Sequence, residues 1–145
     1  MAYWLLKSEP DCWSWDQQKR EGAKGAEWDG VRNFQARNHM RQMKTGDLGL
    51  FYETGDEKRA VGIVRIIAEA HPDSTDGSGA WDCVDVAAVQ ELPRPVTLAE
   101  IKSLPALEDM VLVKNSRLSV QPVSPKEWSM ICRLAGLAKP PEASG

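Results

Sequence analysis

The stretch from Trp28 to Lys44, WDGVRNFQARNHMRQMK, combines the two kinds of side chain that hold a nucleobase and its phosphates: a planar ring and a row of fixed cations. Arg32, Arg37, Arg41 and Lys44 follow Trp28 and an Asp29-Gly30 turn with no further carboxylate, in a chain of net charge -3. A local basic run on an acidic chain is a directed surface and not a bulk property. Ala36, Met40 and Met43 recur at helical spacing, and Arg37, Arg41 and Lys44 each fall one position later. The pattern predicts a short amphipathic helix with a buried stripe and a cationic ridge beside it. An ordinary solvated helix face has the same pattern. The ring just upstream is what favours a stacking site.

Tryptophan is the informative residue type, with six in 145 positions. Trp4 falls in an apolar strand and Trp128 is placed by a helix start, so both are expected to pack the core. Trp13 and Trp15 flank a short helix and fit either role. Trp28 and Trp81 each border a loop containing Gly and Asp, where a ring can be half-exposed; they either cover the core or wall a slot for a flat ring.

Other chemistries find little support. His71, Asp73 and Ser74 are nearly adjacent, whereas a nucleophile, its base and the group orienting that base normally converge from separate elements. There is no Cys-x-x-Cys, His-x-x-x-His or EF-hand spacing, so no metal is expected. Gly46 and Gly49 lack the lysine and helix start of a phosphate loop, and no cofactor is expected.

The supporting strands and helices follow one another along the chain. Tyr3 to Lys7 is an apolar strand stopped near Glu9-Pro10. Ser14 and Gln17 have capping-box spacing, so a helix follows Ser14. Leu48–Glu53 and Ala60–Ala68 predict a hairpin, the second strand apolar at nearly every position, as in a closed barrel covered by helices. Trp81–Leu92 is a fourth strand, ended by Pro93-Arg94-Pro95. Thr97 and Glu100 cap a short helix stopped by Pro105, and Met110–Val113 is a fifth strand. Val123, Ser124, Pro125, Glu127 and Trp128 supply a staple, cap, first-turn proline and capping box for a last helix ending at Gly136.

These elements predict one α+β domain, residues 1–137, built as a mixed β-barrel of five to six strands with peripheral helices, followed by a disordered tail, 138–145. A ferredoxin-like sandwich would need stricter alternation. Three widely spaced cysteines and the lack of a secretion signal predict a cytoplasmic protein, and no apolar run predicts a membrane span. A monomer is expected.

YWLLKSEP, WDGVRNFQARN and SRLSVQPVSPKEW, in that order, resemble the EVE domain family over almost the whole chain to Leu137. The resemblance implies a PUA-like fold and kinship with YTH and SRA domains, which insert modified bases into an aromatic pocket. Carried onto these motifs, it implies that Lys7, Ser8 and Glu9 edge the pocket and that Trp28, more loosely Trp81, forms its cage. It brings in Asn33 and Arg37 from the second motif, and Arg117 and Ser119 from the third. Ser8 and Asn33 would read the base edge, while Arg32, Arg37, Arg41, Lys44 and Arg117 would hold flanking phosphates. The expected function is a non-catalytic module that recognises a modified base, flipped or single-stranded, in DNA or RNA. An RNA- or nucleotide-modifying enzyme and a binder of free nucleosides are the alternatives.

Overall fold

A computed structural model, which describes residues 2–143, places six strands in one mixed sheet of order β2-β5-β4-β3-β1-β6. The strands are β1 (Tyr3–Ser8), β2 (Ala26–Glu27), β3 (Leu48–Glu53), β4 (Arg59–Pro72), β5 (Asp82–Thr97) and β6 (Val120–Val123). Only β1 and β3 run parallel; their register pairs Tyr3 with Leu48 and Ser8 with Glu53. The strands β2 and β6 are the two edges, and the sheet is not closed, which corrects the expected β-barrel. The expectation rested on the apolar run of β4. That run requires both faces of the strand to be covered, and an open sheet between two layers of helices satisfies it equally well.

Two core clusters lie against the sheet. Leu5, Leu50 and Ile63 pack with Trp128 and Ile131 of α5 (Pro125–Leu134) in one. Leu6, Phe51 and Val64 pack with Trp15 of α1 (Trp15–Arg20) and with Ala36 and Met40 of α2 (Phe34–Gln42) in the other. Successive side chains alternate between the faces of a strand, which is why Leu5 and Leu6 fall in different clusters. At Gly62 any Cβ would lie 2.4 Å from the Trp15 ring, so this position must be glycine for α1 to dock.

The helix starts match their sequence signals. Ser14 with Gln17, Thr97 with Glu100 and Ser124 with Glu127 form capping boxes on α1, α3 (Leu98–Lys102) and α5. Two strand expectations are corrected. The run from Met110 to Val113 is not a strand, because α4 (Val111–Lys114) occupies it; four apolar residues carry no periodicity to separate the two. The strand partner of β1 on that side is instead β6, whose Pro122 is tolerated because this is a sheet edge. Nor do Pro93 and Pro95 end β5: the pairing jumps from Gly62↔Glu91 to Ala60↔Val96, so both prolines lie in an irregularity of the ladder. The C-terminal segment expected to be disordered is described as far as Ala143. Pro141 accepts a hydrogen bond from the Trp128 indole (2.9 Å), and the Ala143 N–H donates to the Tyr3 hydroxyl (3.2 Å). Ser144 and Gly145 lie outside the described residues. Among the described residues no helix is long and apolar enough to cross a membrane.

Candidate functional site

A cavity of about 650 Å³ opens at the C-terminal end of β1, walled by residues 7–9, Cys12, Trp13, residues 26–32 and Ser119. Its size falls in the range of about 300–1,000 Å³ typical of small-molecule pockets. Lys7, Ser8 and Glu9 come from the strand end. The Lys7 N–H donates to the Ser119 carbonyl (2.9 Å), which draws the β6 approach into the wall. The Lys7 ammonium donates to the Ser116 carbonyl (2.7 Å), and burial lowers its pKa. The Ser8 hydroxyl donates to the Trp13 carbonyl (2.5 Å), folding residues 9–13 back over the opening. The half-buried Trp13 indole donates to Gln18, which is itself buried and bonded to the Val86 carbonyl.

Trp28 enters from β2. Its N–H donates to the Val84 carbonyl (2.7 Å), and its ring meets Phe51 edge-on at 5.4 Å. The residue is only 6% exposed, so it forms a fixed inner wall and not a mobile flap. After it the chain turns at Gly30, whose φ of +78° suits glycine. The turn is held by Asp73, a residue of the β4–β5 loop. One Asp73 oxygen accepts from the Gly30 N–H (2.9 Å) and the Arg32 guanidinium (3.1 Å). The other accepts from the Thr75 N–H and hydroxyl (2.7 and 2.6 Å). Burial alone would raise the pKa of Asp73, but these bonds from Thr75, Gly30 and Arg32 outweigh it and hold the carboxyl down at about 2. Asp73 thus clasps the pocket wall. Three further carboxylates, Glu9, Glu27 and Asp29, line the cavity. Desolvation, then the charges of Asp73 and Glu27, raise the pKa of Asp29. The interior therefore offers acceptors for N–H groups, with Lys7 and Arg32 as its cations.

Of the residues expected at the base pocket, Lys7, Ser8, Glu9, Trp28 and Ser119 are brought together here. Asn33 and Trp81 are not. The Asn33 side chain caps α2 by accepting from the Ala36 N–H (2.9 Å), which occupies the group expected to read a base. Trp81 stacks on Phe34 at 4.8 Å, outside the cavity wall. Of the expected phosphate ligands, Arg32 lines the cavity. Arg37 donates to the Ala80 carbonyl (3.0 Å) and Arg41 pairs with Asp82 (2.6 Å), so both lean on the β4–β5 loop. Lys44 and Arg117 are exposed. Trp13, which fits either role by sequence, falls on the cavity wall, as do Glu27 and Asp29, which no sequence signal singles out. Asp73, read in the sequence beside His71 and Ser74, acts instead on the Gly30 turn.

His71, Cys83 and Asp85 also converge, their ligand-type atoms within 4.8 Å of one another. His71 bonds Asp85 at 2.7 Å and the Cys83 thiol faces Glu27 at 3.5 Å, so the group is satisfied as a hydrogen-bonded cluster.

An open mixed sheet with a pocket at the end of its first strand is a PUA-like architecture. A YTH domain from Zygosaccharomyces rouxii MRB1 shares the fold, at TM-score 0.59 and 20% identity over 96% of this chain and 89% of that one. The chain belongs to the EVE domain family, whose model matches residues 2–134. Protein Atu2648 from Agrobacterium tumefaciens superposes at TM-score 0.97 with 53% identity, covering 100% of both chains. Human thymocyte nuclear protein 1 is 32% identical over 165 aligned positions, covering 92% of this chain and 73% of that protein. The crystal structure of human THYN1 protein in complex with 5-methylcytosine-containing DNA superposes at TM-score 0.88 with 32% identity, covering 96% and 100% of the two chains.

Proposed function

We propose that this chain is a non-catalytic nucleic-acid-binding module that takes a modified base, flipped out of a duplex or already single-stranded, into the cavity between Trp13 and Trp28. The observation that carries the reading is the cavity itself. It has room for one base, it has indole on its wall, and its polar lining sets the carboxylates of Glu9, Glu27 and Asp29 beside the cations of Lys7 and Arg32. A carboxylate accepting from an exocyclic amine is a standard way to read a cytosine or adenine edge, and Asp29 and Glu27 stand where they could do so. That human THYN1 protein was crystallised with 5-methylcytosine-containing DNA supports the choice of ligand class. Arg32, at the cavity, and Arg37 beside it would meet the backbone of the same strand. Unstacking a base costs a few kcal/mol, so damaged, modified or unpaired positions enter most easily.

The test is a titration of oligonucleotides with and without one 5-methylcytosine, as single and double strands, followed by intrinsic tryptophan fluorescence. Trp13→Ala should weaken binding. The proposal fails if modified and unmodified strands bind equally and Trp13→Ala changes neither. Free nucleoside binding as tight as oligonucleotide binding, with no dependence on Arg37, would favour a small-molecule pocket instead.

A further inference from the structure

We propose that Phe34 is a stacking platform for the nucleobase next to the one held in the cavity; the inference rests on the function proposed above. Phe34 is 62% exposed, the more exposed of two large hydrophobic residues left open to solvent among the described residues. A scattered surface Leu or Val needs no explanation. Phe34 differs because its surroundings are built. It is the first residue of α2, fixed by the Asn33 cap. Trp81 stacks on one face at 4.8 Å, with an interplanar angle of 24°. The Arg37 guanidinium lies 4.8 Å from the Phe34 ring and 5.7 Å from the Trp81 ring. A cation across the far face of Phe34 would lie much further from Trp81 than 5.7 Å, so Arg37 reaches the Phe34 ring from the side that Trp81 occupies. One face of a rigid, electron-rich ring is therefore left open to solvent.

Its position selects the occupant. Arg32 lines the cavity and also lies over Trp81, 5.7 Å from that ring. One guanidinium, that of Arg32, thus belongs both to the cavity wall and to the surroundings of the Trp81 ring that backs the platform, so a strand leaving the cavity passes it on the way to Phe34. A base is the flat partner that a strand anchored in the cavity would bring to this face, and the cations around the ring match the charge of its backbone. The same arrangement explains why Trp81 lies outside the cavity: it backs Phe34 and does not cage the base.

The test compares the wild type with Phe34→Ala and Phe34→Tyr against two probes, a short single strand carrying one 5-methylcytosine and the free 5-methyl-2′-deoxycytidine nucleoside. Phe34→Ala should weaken strand binding about 5- to 150-fold, the loss expected for one stacked base, and leave nucleoside binding nearly unchanged. Phe34→Tyr should retain strand binding. A strand with an abasic site beside the 5-methylcytosine should lose the same factor with the wild type and nothing more with Phe34→Ala, as a double-mutant cycle requires. Equal strand binding by the wild type and Phe34→Ala would overturn the platform while leaving the pocket intact. Loss of both probes by the wild type would overturn both. A change of oligomeric state on Phe34→Ala, with strand affinity kept, would assign the ring to self-association and also overturn the proposal.

Discussion

Replacing Asp73 by asparagine removes the charge that holds the pocket wall to the β4–β5 loop while keeping the side chain's volume. The carboxylate is fully buried, with a side-chain exposure of 0%. Its pKa is depressed from 3.8 to about 2. At roughly 1.4 kcal/mol per pKa unit, that difference is about 2.5 kcal/mol of folding free energy at neutral pH. Breaking a buried ion pair can cost 3–5 kcal/mol, but Arg32 is 39% exposed and can rehydrate when its partner is lost, so the lower figure governs. The amide also turns a donor towards the Gly30 N–H or Arg32, which favours a loss of about 2–3 kcal/mol over a smaller one. The sign with pH follows from the depressed value. The contribution is complete above the unfolded pKa of 3.8 and is lost as pH falls through the folded value near 2, with about half gone by pH 3. Urea unfolding of both proteins from pH 7 to pH 3 measures this. The wild type should be more stable by about 2–3 kcal/mol at pH 7, and the gap should narrow by roughly half at pH 3. A gap below about 0.5 kcal/mol at pH 7, or one that does not change with acid, would refute the clasp.

Trp28→Ala should destabilise by about 3–5 kcal/mol in the same assay, because the ring is buried against Phe51, whereas the half-buried Trp13→Ala should cost clearly less; equal losses would contradict the inner-wall role of Trp28. In salt titrations of strand binding, Arg37→Gln should reduce the slope of log K against log salt by about 0.7–0.9, one phosphate's worth, and Arg41→Gln by less, since Asp82 already neutralises it. A thiol reagent should label Cys12 rapidly in the native protein and Cys83 and Cys132 only on denaturation. Both are buried, and burial pushes the Cys132 thiol up to about 12; fast labelling of either would contradict the packing.

The parts of this molecule that were legible in its sequence are those governed by near neighbours. Capping boxes at Ser14, Thr97 and Ser124 need only residues three apart, and each marks a helix start. The strand from Tyr3 and the hairpin strands announce themselves by apolar runs. What could not be read is set by pairing at a distance. Whether the sheet closes depends on whether β2 and β6 meet, and neither a two-residue strand nor a Pro-containing one has a local signature.

The same division explains the site. Motif position alone would send Asn33 and Trp81 into the pocket. Asn33 is spent on the start of α2, because an N-cap needs its carbonyl oxygen. Trp81 is committed to Phe34, a residue that spacing in the sequence could not pair with it.

 

Phe34 opens α2 and Trp81 precedes β5, so only the folded sheet brings the two rings together. Asp73 is the converse case. Beside His71 and Ser74 it looks like part of a catalytic group, yet its bonds to Gly30, Arg32 and Thr75 leave it no free lone pair for chemistry and make it the tie between two loops. A pocket held by one buried carboxylate should lose its shape when that carboxylate is neutralised. Strand binding by the Asp73→Asn protein should therefore fall even under conditions where the variant is fully folded, and unchanged affinity there would mean that the wall of the cavity stands without its clasp.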